Sequence, residues 1–180
     1  MIETQRLILR PLDPSDAQVL AVELNTLAIS QWTARIPFPY RLEDAREFLA
    51  LCAVPAPGTL VLAITCKQAS GVLRGVISYE GDGTGSAELG YWVSQSEWRK
   101  GFGREAAEAI TSHVFSHTGY GGLSAGYREG NIASQRILEG LGFTPEGRSK
   151  VFCRALGEET PVVRLRLTRD DWRQAAEGRR

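Results

Sequence analysis

The chain has 180 residues, 43% apolar and 23% charged, the composition of a soluble globular protein long enough for one hydrophobic core. Its 21 basic and 21 acidic residues cancel, which argues against a field that would draw in nucleic acid or an anionic membrane. No apolar run approaches the ~20 residues of a membrane span, and the start Met1-Ile2-Glu3 lacks a basic-then-apolar secretory pattern, so a cytoplasmic location is expected.

Residues 6–10 read as a first strand ended by Pro11, and Asp13 or Ser15 can cap a helix over 17–27. Pro37 and Pro39 keep 29–40 irregular. Ala45, Phe48 and Leu49 recur at helical spacing and predict a helix over 42–51. Strands at 60–66, 74–79 and 87–93 follow, joined by short glycine-containing turns such as Gly81-Asp-Gly-Thr-Gly-Ser86, so an antiparallel meander is expected. The period then changes. Ala106, Ala107, Ile110, Val114 and Phe115 place one apolar face on a helix over 103–117. A strand at 123–127 comes next, then a helix capped by Asn131 and stopped by Gly142. A hairpin of 151–155 and 162–167 follows, and Thr168 can cap a short last helix through Ala176. This order predicts a mixed sheet with helices on its faces, with residues 1–180 as a single domain.

Cys52, Cys66 and Cys153 are far apart and never in a C-x-x-C pair, which argues against disulfides and a thiolate zinc site. Buried inert thiols are expected. His113 and His117 lie four apart, but Val114 stands where a zincin helix has Glu, and no metal is expected.

The sharpest chemical signal is Trp98-Arg-Lys-Gly-Phe-Gly-Arg-Glu-Ala106. Gly101 and Gly103 stand where a helix begins, and glycine lets a ligand approach the backbone. The first helical turn has unpaired N–H groups and a dipole that favours an anion. Arg99, Lys100 and Arg104 add charge. These features describe a pyrophosphate cradle. A Walker loop needs Ser or Thr after its Gly-Lys pair, whereas Phe102 follows Lys100-Gly101. A dinucleotide fingerprint fits as Gly101-x-Gly103-x-x-Ala106, but it belongs directly after a strand of a βαβ unit, and here it follows a meander. A plain sharp turn beside a solvated basic face is the third reading.

Trp98-x-x-Gly101-x-Gly103 also resembles the acetyl-CoA motif of the GNAT superfamily of N-acetyltransferases. A Trp in its first position is similar to the branch of ribosomal-protein N-terminal acetyltransferases. The likeness continues in order through Glu3-Thr-Gln-Arg-Leu-Ile-Leu-Arg-Pro-Leu12, Pro37-Phe-Pro-Tyr40 with Glu43-Asp-Ala45, Glu88-Leu-Gly-Tyr-Trp-Val93, Asn131-x-x-Ser134, Leu141-Gly-Phe143 and Thr168-Arg-Asp-Asp-Trp172. It implies an α/β (α+β) fold whose central sheet is mixed and mostly antiparallel, with about seven strands and helices on both faces. It implies acetyl transfer from acetyl-CoA to a primary amine without a metal. The amine would be a protein N-terminus by branch. A small-molecule amine acceptor and a non-catalytic acyl-CoA-binding module are the alternatives. A homodimer is left open.

The resemblance also assigns residues. Backbone groups of Trp92 and Val93 would pair with pantetheine in a gap between splayed strands. Backbone N–H groups of Arg99, Lys100, Gly101, Phe102, Gly103 and Arg104 would hold the pyrophosphate, and Asn131 the pantetheine arm. Glu88 would be the base that takes the amine proton, and Ser134 would sit near the sulfur. The Tyr that many members carry seven residues after the motif Asn is Leu138 here, and Gly140 stands where the branch often has Lys. Trp32, Arg35 and Tyr40, in a loop too aromatic for ordinary surface, would line the acceptor side.

Overall fold

A computed structural model describes residues 1–177. Its centre is an eight-stranded sheet in the order β1-β2-β3-β4-β5-β6-β8-β7. The strands are β1 (Ile2–Glu3), β2 (Leu7–Pro11), β3 (Thr59–Cys66), β4 (Ala69–Gly81), β5 (Ser86–Val93), β6 (Gly122–Arg128), β7 (Thr144–Cys153) and β8 (Glu158–Thr168). Every neighbouring pair is antiparallel except β5 and β6. The helices are α1 (Ala17–Leu24), α2 (Leu27–Ser30), α3 (Leu42–Ala53), α4 (Phe102–His117), α5 (Ile132–Leu141) and α6 (Arg169–Glu177).

Side chains alternate across a strand, and this divides the core in two. Leu7, Leu9, Leu62, Ile64, Ile77, Ala87, Leu89, Leu123 and Leu165 pack with α4 and α5 on one face. Ala63 and Val76 point the other way, onto Leu20 and Leu24 of α1 and Ala45 and Leu49 of α3. Along β5, Ala87, Leu89, Tyr91 and Val93 belong to the α4 side, while Trp92 packs on the α1/α3 side.

The helix expected over 17–27 ends at Leu24, and Thr26 caps a separate turn by accepting from the Ala28 N–H. Asn25 breaks it, because its side-chain oxygen accepts from the Tyr40 N–H and ties the following loop down. Asp13 caps a 3-10 turn at Pro14–Asp16 ahead of α1. The helix expected from Gly103 begins one residue earlier, at Phe102. The last hairpin is longer than expected, since β7 starts at Thr144 although Pro145 and Gly147 disfavour a strand. β7 is the sheet's edge and has a register shift between these two residues. An edge bulge is where a sheet tolerates Pro and Gly.

Cys153 is buried, whereas Cys52 and Cys66 are half-buried rather than fully enclosed. Burial pushes the Cys52 thiol up to about 11. The rings of His113 and His117 stack, with centroids 4.9 Å apart. No described helix is long and apolar enough to cross a membrane.

Candidate functional site

The one parallel pairing creates the site. β5 and β6 pair only from Ser86 with Gly122 to Leu89 with Ala125. Beyond that they part. β4 continues to pair with β5 as far as Val93, and β8 with β6 as far as Arg128. A wedge therefore opens between residues 90–93 and 126–128, and among the described residues no strand pairs with the facing backbone edges. Unpaired strand edges offer hydrogen-bonding groups to an extended ligand.

The basic turn follows directly from the β5 arm of the wedge. Gly101, at φ 81°, is the left-handed N-cap of α4, and Arg99 is also left-handed, at φ 62°. A non-glycine residue there carries strain of about 1–3 kcal/mol, a feature that concentrates at ligand sites. The two left-handed residues curl the backbone ahead of the unpaired N–H groups of the first helical turn, which is the geometry of an anion nest.

The charges expected around this turn are partly committed elsewhere. The Lys100 ammonium lies 3.0 Å from Glu97, a buried carboxylate that also holds Arg74 at 3.2 Å. Arg104 donates to Glu108 and lies beside Gly140, where an added Cβ would come 3.5 Å from its Nη1. Gly140 thus leaves room for the Arg104 guanidinium to lie over α5. Arg99 is exposed. Trp98 Nε1 donates to the Val93 carbonyl at 2.8 Å and links the turn to the strand end. Phe102 is buried.

A second tether comes from the first strands. Arg6 Nη1 donates to the Lys100 carbonyl, and the guanidinium lies 5.0 Å over the Phe102 ring. Glu105 accepts from the Thr4 hydroxyl and from both the backbone and the side chain of Arg6. Burial raises the Glu105 carboxyl, but these hydrogen bonds outweigh it and hold the group below its usual range. A depressed folded value means the stabilisation is complete above the unfolded pKa and is lost as pH falls through the folded one. Glu105→Gln should therefore lower stability at pH 7 by about 1–2 kcal/mol, or about 2–8 °C in Tm. In melts across pH, the gap between wild type and variant should be full at neutral pH and close only as pH falls through the depressed Glu105 value. Equal melting at pH 7 would show that the tether is idle.

Gly103 has a different role from Gly101. An added Cβ at 103 would point inward, 3.3 Å from Ile137 and 3.5 Å from Val93. Its missing side chain serves the packing of α4 against α5 and β5.

On the α5 side of the wedge, Asn131 caps the helix by accepting from the Ser134 N–H at 3.1 Å. Ser134 Oγ lies 3.1 Å from the Tyr91 hydroxyl. Leu138, where the expected Tyr is missing, is 1% exposed and fills the core.

On the opposite face of the sheet, a cavity of about 450 Å³ reaches the wedge. Trp32, Arg35 and Tyr40 line it, together with Glu80, Glu88 and Trp92 of β4 and β5. Tyr40 also belongs to the core between α1 and α3, and burial pushes its hydroxyl up to about 12. Glu88 and Glu80 are direct cross-strand partners. Like charges in that register repel, and each has its own arginine. Arg164 of β8 donates to Glu88 at 2.8 Å, while Arg35 grips Glu80 through two bonds of 2.6 and 3.0 Å. The Arg35 guanidinium holds the Glu80 carboxyl below its usual range. Arg35 therefore fastens the 31–40 loop to the sheet instead of standing free for a ligand.

Sequence reasoning missed Glu80, Tyr91, Arg164 and the Arg6–Glu105 tether. Each is defined by a partner more than 40 residues away, and no local pattern encodes such a pairing.

The sheet is thus half open, with a left-handed turn at the foot of its wedge and a cavity behind it. The chain matches the acetyltransferase (GNAT) domain family over residues 6–144, and it belongs to that family of acetyltransferases. It is 25% identical over 175 residues to the uncharacterized N-acetyltransferase p20 of Bacillus licheniformis, covering 94% of this chain and 96% of that protein. Its fold is similar to that of a GNAT-family acetyltransferase from Bacillus anthracis, with TM-score 0.80 and 19% identity, covering 94% of this chain and 98% of that one. It is also similar to the ribosomal L7/L12 alpha-N-protein acetyltransferase RimL, solved with coenzyme A. There the TM-score is 0.77 and the identity 20%, covering 92% of this chain and 95% of that one.

Proposed function

We propose that this acetyltransferase takes acetyl from acetyl-CoA and delivers it to the N-terminal amine of a protein. The observation that carries the reading is the wedge between β5 and β6 ending on the left-handed turn at Arg99 and Gly101. Backbone N–H groups over residues 99–104 hold the pyrophosphate. The backbone at Trp92 and Val93, where β5 has parted from β6, pairs with the pantetheine amides, and Asn131 contacts the same arm from the α5 cap. The thioester then lies at the head of the wedge, between the Ser134 side and the cavity.

The amine enters from the cavity, past Trp32, Arg35 and Tyr40. It is protonated at neutral pH and cannot attack until a base takes a proton. Glu88, oriented by Arg164, takes it directly or through water. Nitrogen then attacks the thioester carbon, and the strand's free N–H groups steady the oxyanion. The C–S bond breaks with its electron pair leaving on sulfur, on the side of Ser134. An N-terminal acceptor is the choice favoured by the likeness to the ribosomal-protein enzyme.

Two measurements test the reading. Acetyl-CoA at ~100 times its dissociation constant should stabilise the protein by about 2.7 kcal/mol, seen as a rise in Tm. No shift at millimolar acetyl-CoA would reject the donor. Thiol release should then accelerate with peptides bearing free N-termini and not with the same peptides blocked. Turnover confined to polyamines, amino acids or aminoglycosides would move the acceptor to small molecules, and no turnover with any amine would leave an acyl-CoA-binding module.

A further inference from the structure

We propose that Tyr91 is a positioning residue for the leaving sulfur: its hydroxyl donates to Ser134 Oγ and so aims the Ser134 proton into the wedge at the departing thiolate. The proposal rests on the placement of coenzyme A argued above.

Tyr91 lies on the β5 arm of the wedge, on the α4/α5 side, and Ser134 lies in the first turn of α5. Their oxygens are 3.1 Å apart, and Ser134 is the hydroxyl's hydrogen-bond partner among the described residues. Either oxygen could donate by distance alone. Chemistry decides between them. A phenol is a better acid than an alkyl hydroxyl and so a stronger donor, and serine can accept while keeping its own proton free to rotate. The pair therefore reads Tyr91 O–H to Ser134 Oγ, then Ser134 O–H to whatever enters the wedge.

This arrangement replaces the missing side chain on α5. The position of the expected Tyr holds Leu138, whose side chain is enclosed in the core, so the donor on α5 falls to Ser134, one turn earlier, and what orients it comes from another element. Tyr91 supplies that orientation from the strand.

The pair works by hydrogen bonding without giving up a proton. Burial pushes the Tyr91 hydroxyl up to about 12, well above an alkyl thiol near ~8.5. Transfer from Tyr91 to a thiolate is therefore uphill by several pKa units. When the C–S bond breaks, the electron pair leaves on sulfur, Ser134 donates a hydrogen bond to it, and the thiolate takes its proton from water on release. A donor bound to the charged form lowers its pKa.

The test needs no acceptor. Coenzyme A bound to the protein is titrated by the ultraviolet absorbance of its thiolate. The bound thiol should titrate about one unit below free coenzyme A, a tenfold gain in thiolate. Tyr91→Phe, which keeps the ring in the core, and Ser134→Ala should each remove most of that shift, and the double variant should remove no more than Ser134→Ala alone. Should Tyr91→Phe fail to fold, fluorotyrosine at position 91 keeps the ring and acidifies the hydroxyl, and it should lower the thiol value further. A bound thiol in the Tyr91→Phe or fluorotyrosine protein that titrates as in wild type would overturn the proposal. So would losses that add in the double variant, because Tyr91 would then act apart from Ser134. Failure of wild type to bind coenzyme A would overturn the donor assignment itself.

Discussion

Glu88→Gln should lower turnover by about 10²–10⁴-fold, the usual contribution of a general base, while acetyl-CoA binding stays within a few-fold of wild type. Gln keeps the size of the side chain and can still accept from Arg164, which reaches Glu88 at 2.8 Å. It cannot take a proton from the amine. Donor contacts run through the backbone of 92–93 and the 99–104 turn, farther along the same arm of the wedge, and should survive. Glu80 sits directly across β4 and β5 from Glu88 but does not substitute for it. Its two oxygens are both engaged by Arg35, so the loss should stand. The variant should recover rate as pH approaches the amine's own pKa, because the acceptor then needs less help. Turnover within about threefold of wild type from pH 6 to 9 would remove Glu88 from the mechanism.

The parts of the molecule legible in the sequence are those set by neighbours along the chain. The short apolar run Leu7-Ile-Leu9, ended by Pro11, marks a strand whatever it pairs with. The spacing of Ala106, Ala107, Ile110 and Val114 marks the buried face of α4, and all four are fully enclosed. Gly101 announces itself because few residues other than glycine can end a loop at φ 81°. The edge bulge at Pro145 and Gly147 hid the start of β7, since local propensity alone disfavours a strand there and only pairing with β8 restores it. Asn25 looked like an ordinary late-helix residue until its bond to Tyr40 showed it belongs to the loop. The charge network behaves the same way. Whether Glu88 faces Arg164 depends on the register of three strands, and a shift of one residue would put it on the other face of the sheet. The Tyr91–Ser134 contact likewise requires β5 and α5 to be placed before it exists.

Gly101→Val should weaken acetyl-CoA binding by at least about 100-fold, whereas Gly103→Ala should leave it nearly unchanged. The two glycines are equivalent in the motif and differ in the structure. At 101 the backbone is left-handed, and an added Cβ would also come 3.2 Å from Arg6 Nη2. A β-branched residue held there costs about 1–2 kcal/mol, and it can escape only by turning the peptide groups out of the nest. Hydrogen bonds to a charged group are worth about 1.5–3 kcal/mol each, so losing two removes about 3–6 kcal/mol, at least two decades of affinity. The fold itself should persist, because the strain is small beside the ~5–15 kcal/mol of a typical domain. At 103 the backbone is already helical. The new methyl of Ala meets Ile137 at 3.3 Å, a contact that the flexible end of the Ile side chain can relieve. Ala is also the better helix former by about 1 kcal/mol. Asn at 101, which tolerates the left-handed region better than other side chains, should fall between Gly and Val. Calorimetric titration of the three variants with acetyl-CoA gives the ranking. Equal affinity for Gly101→Val and wild type would show that the turn does not hold the phosphates, and a collapse of binding in Gly103→Ala would place the ligand against the α4–α5 seam instead.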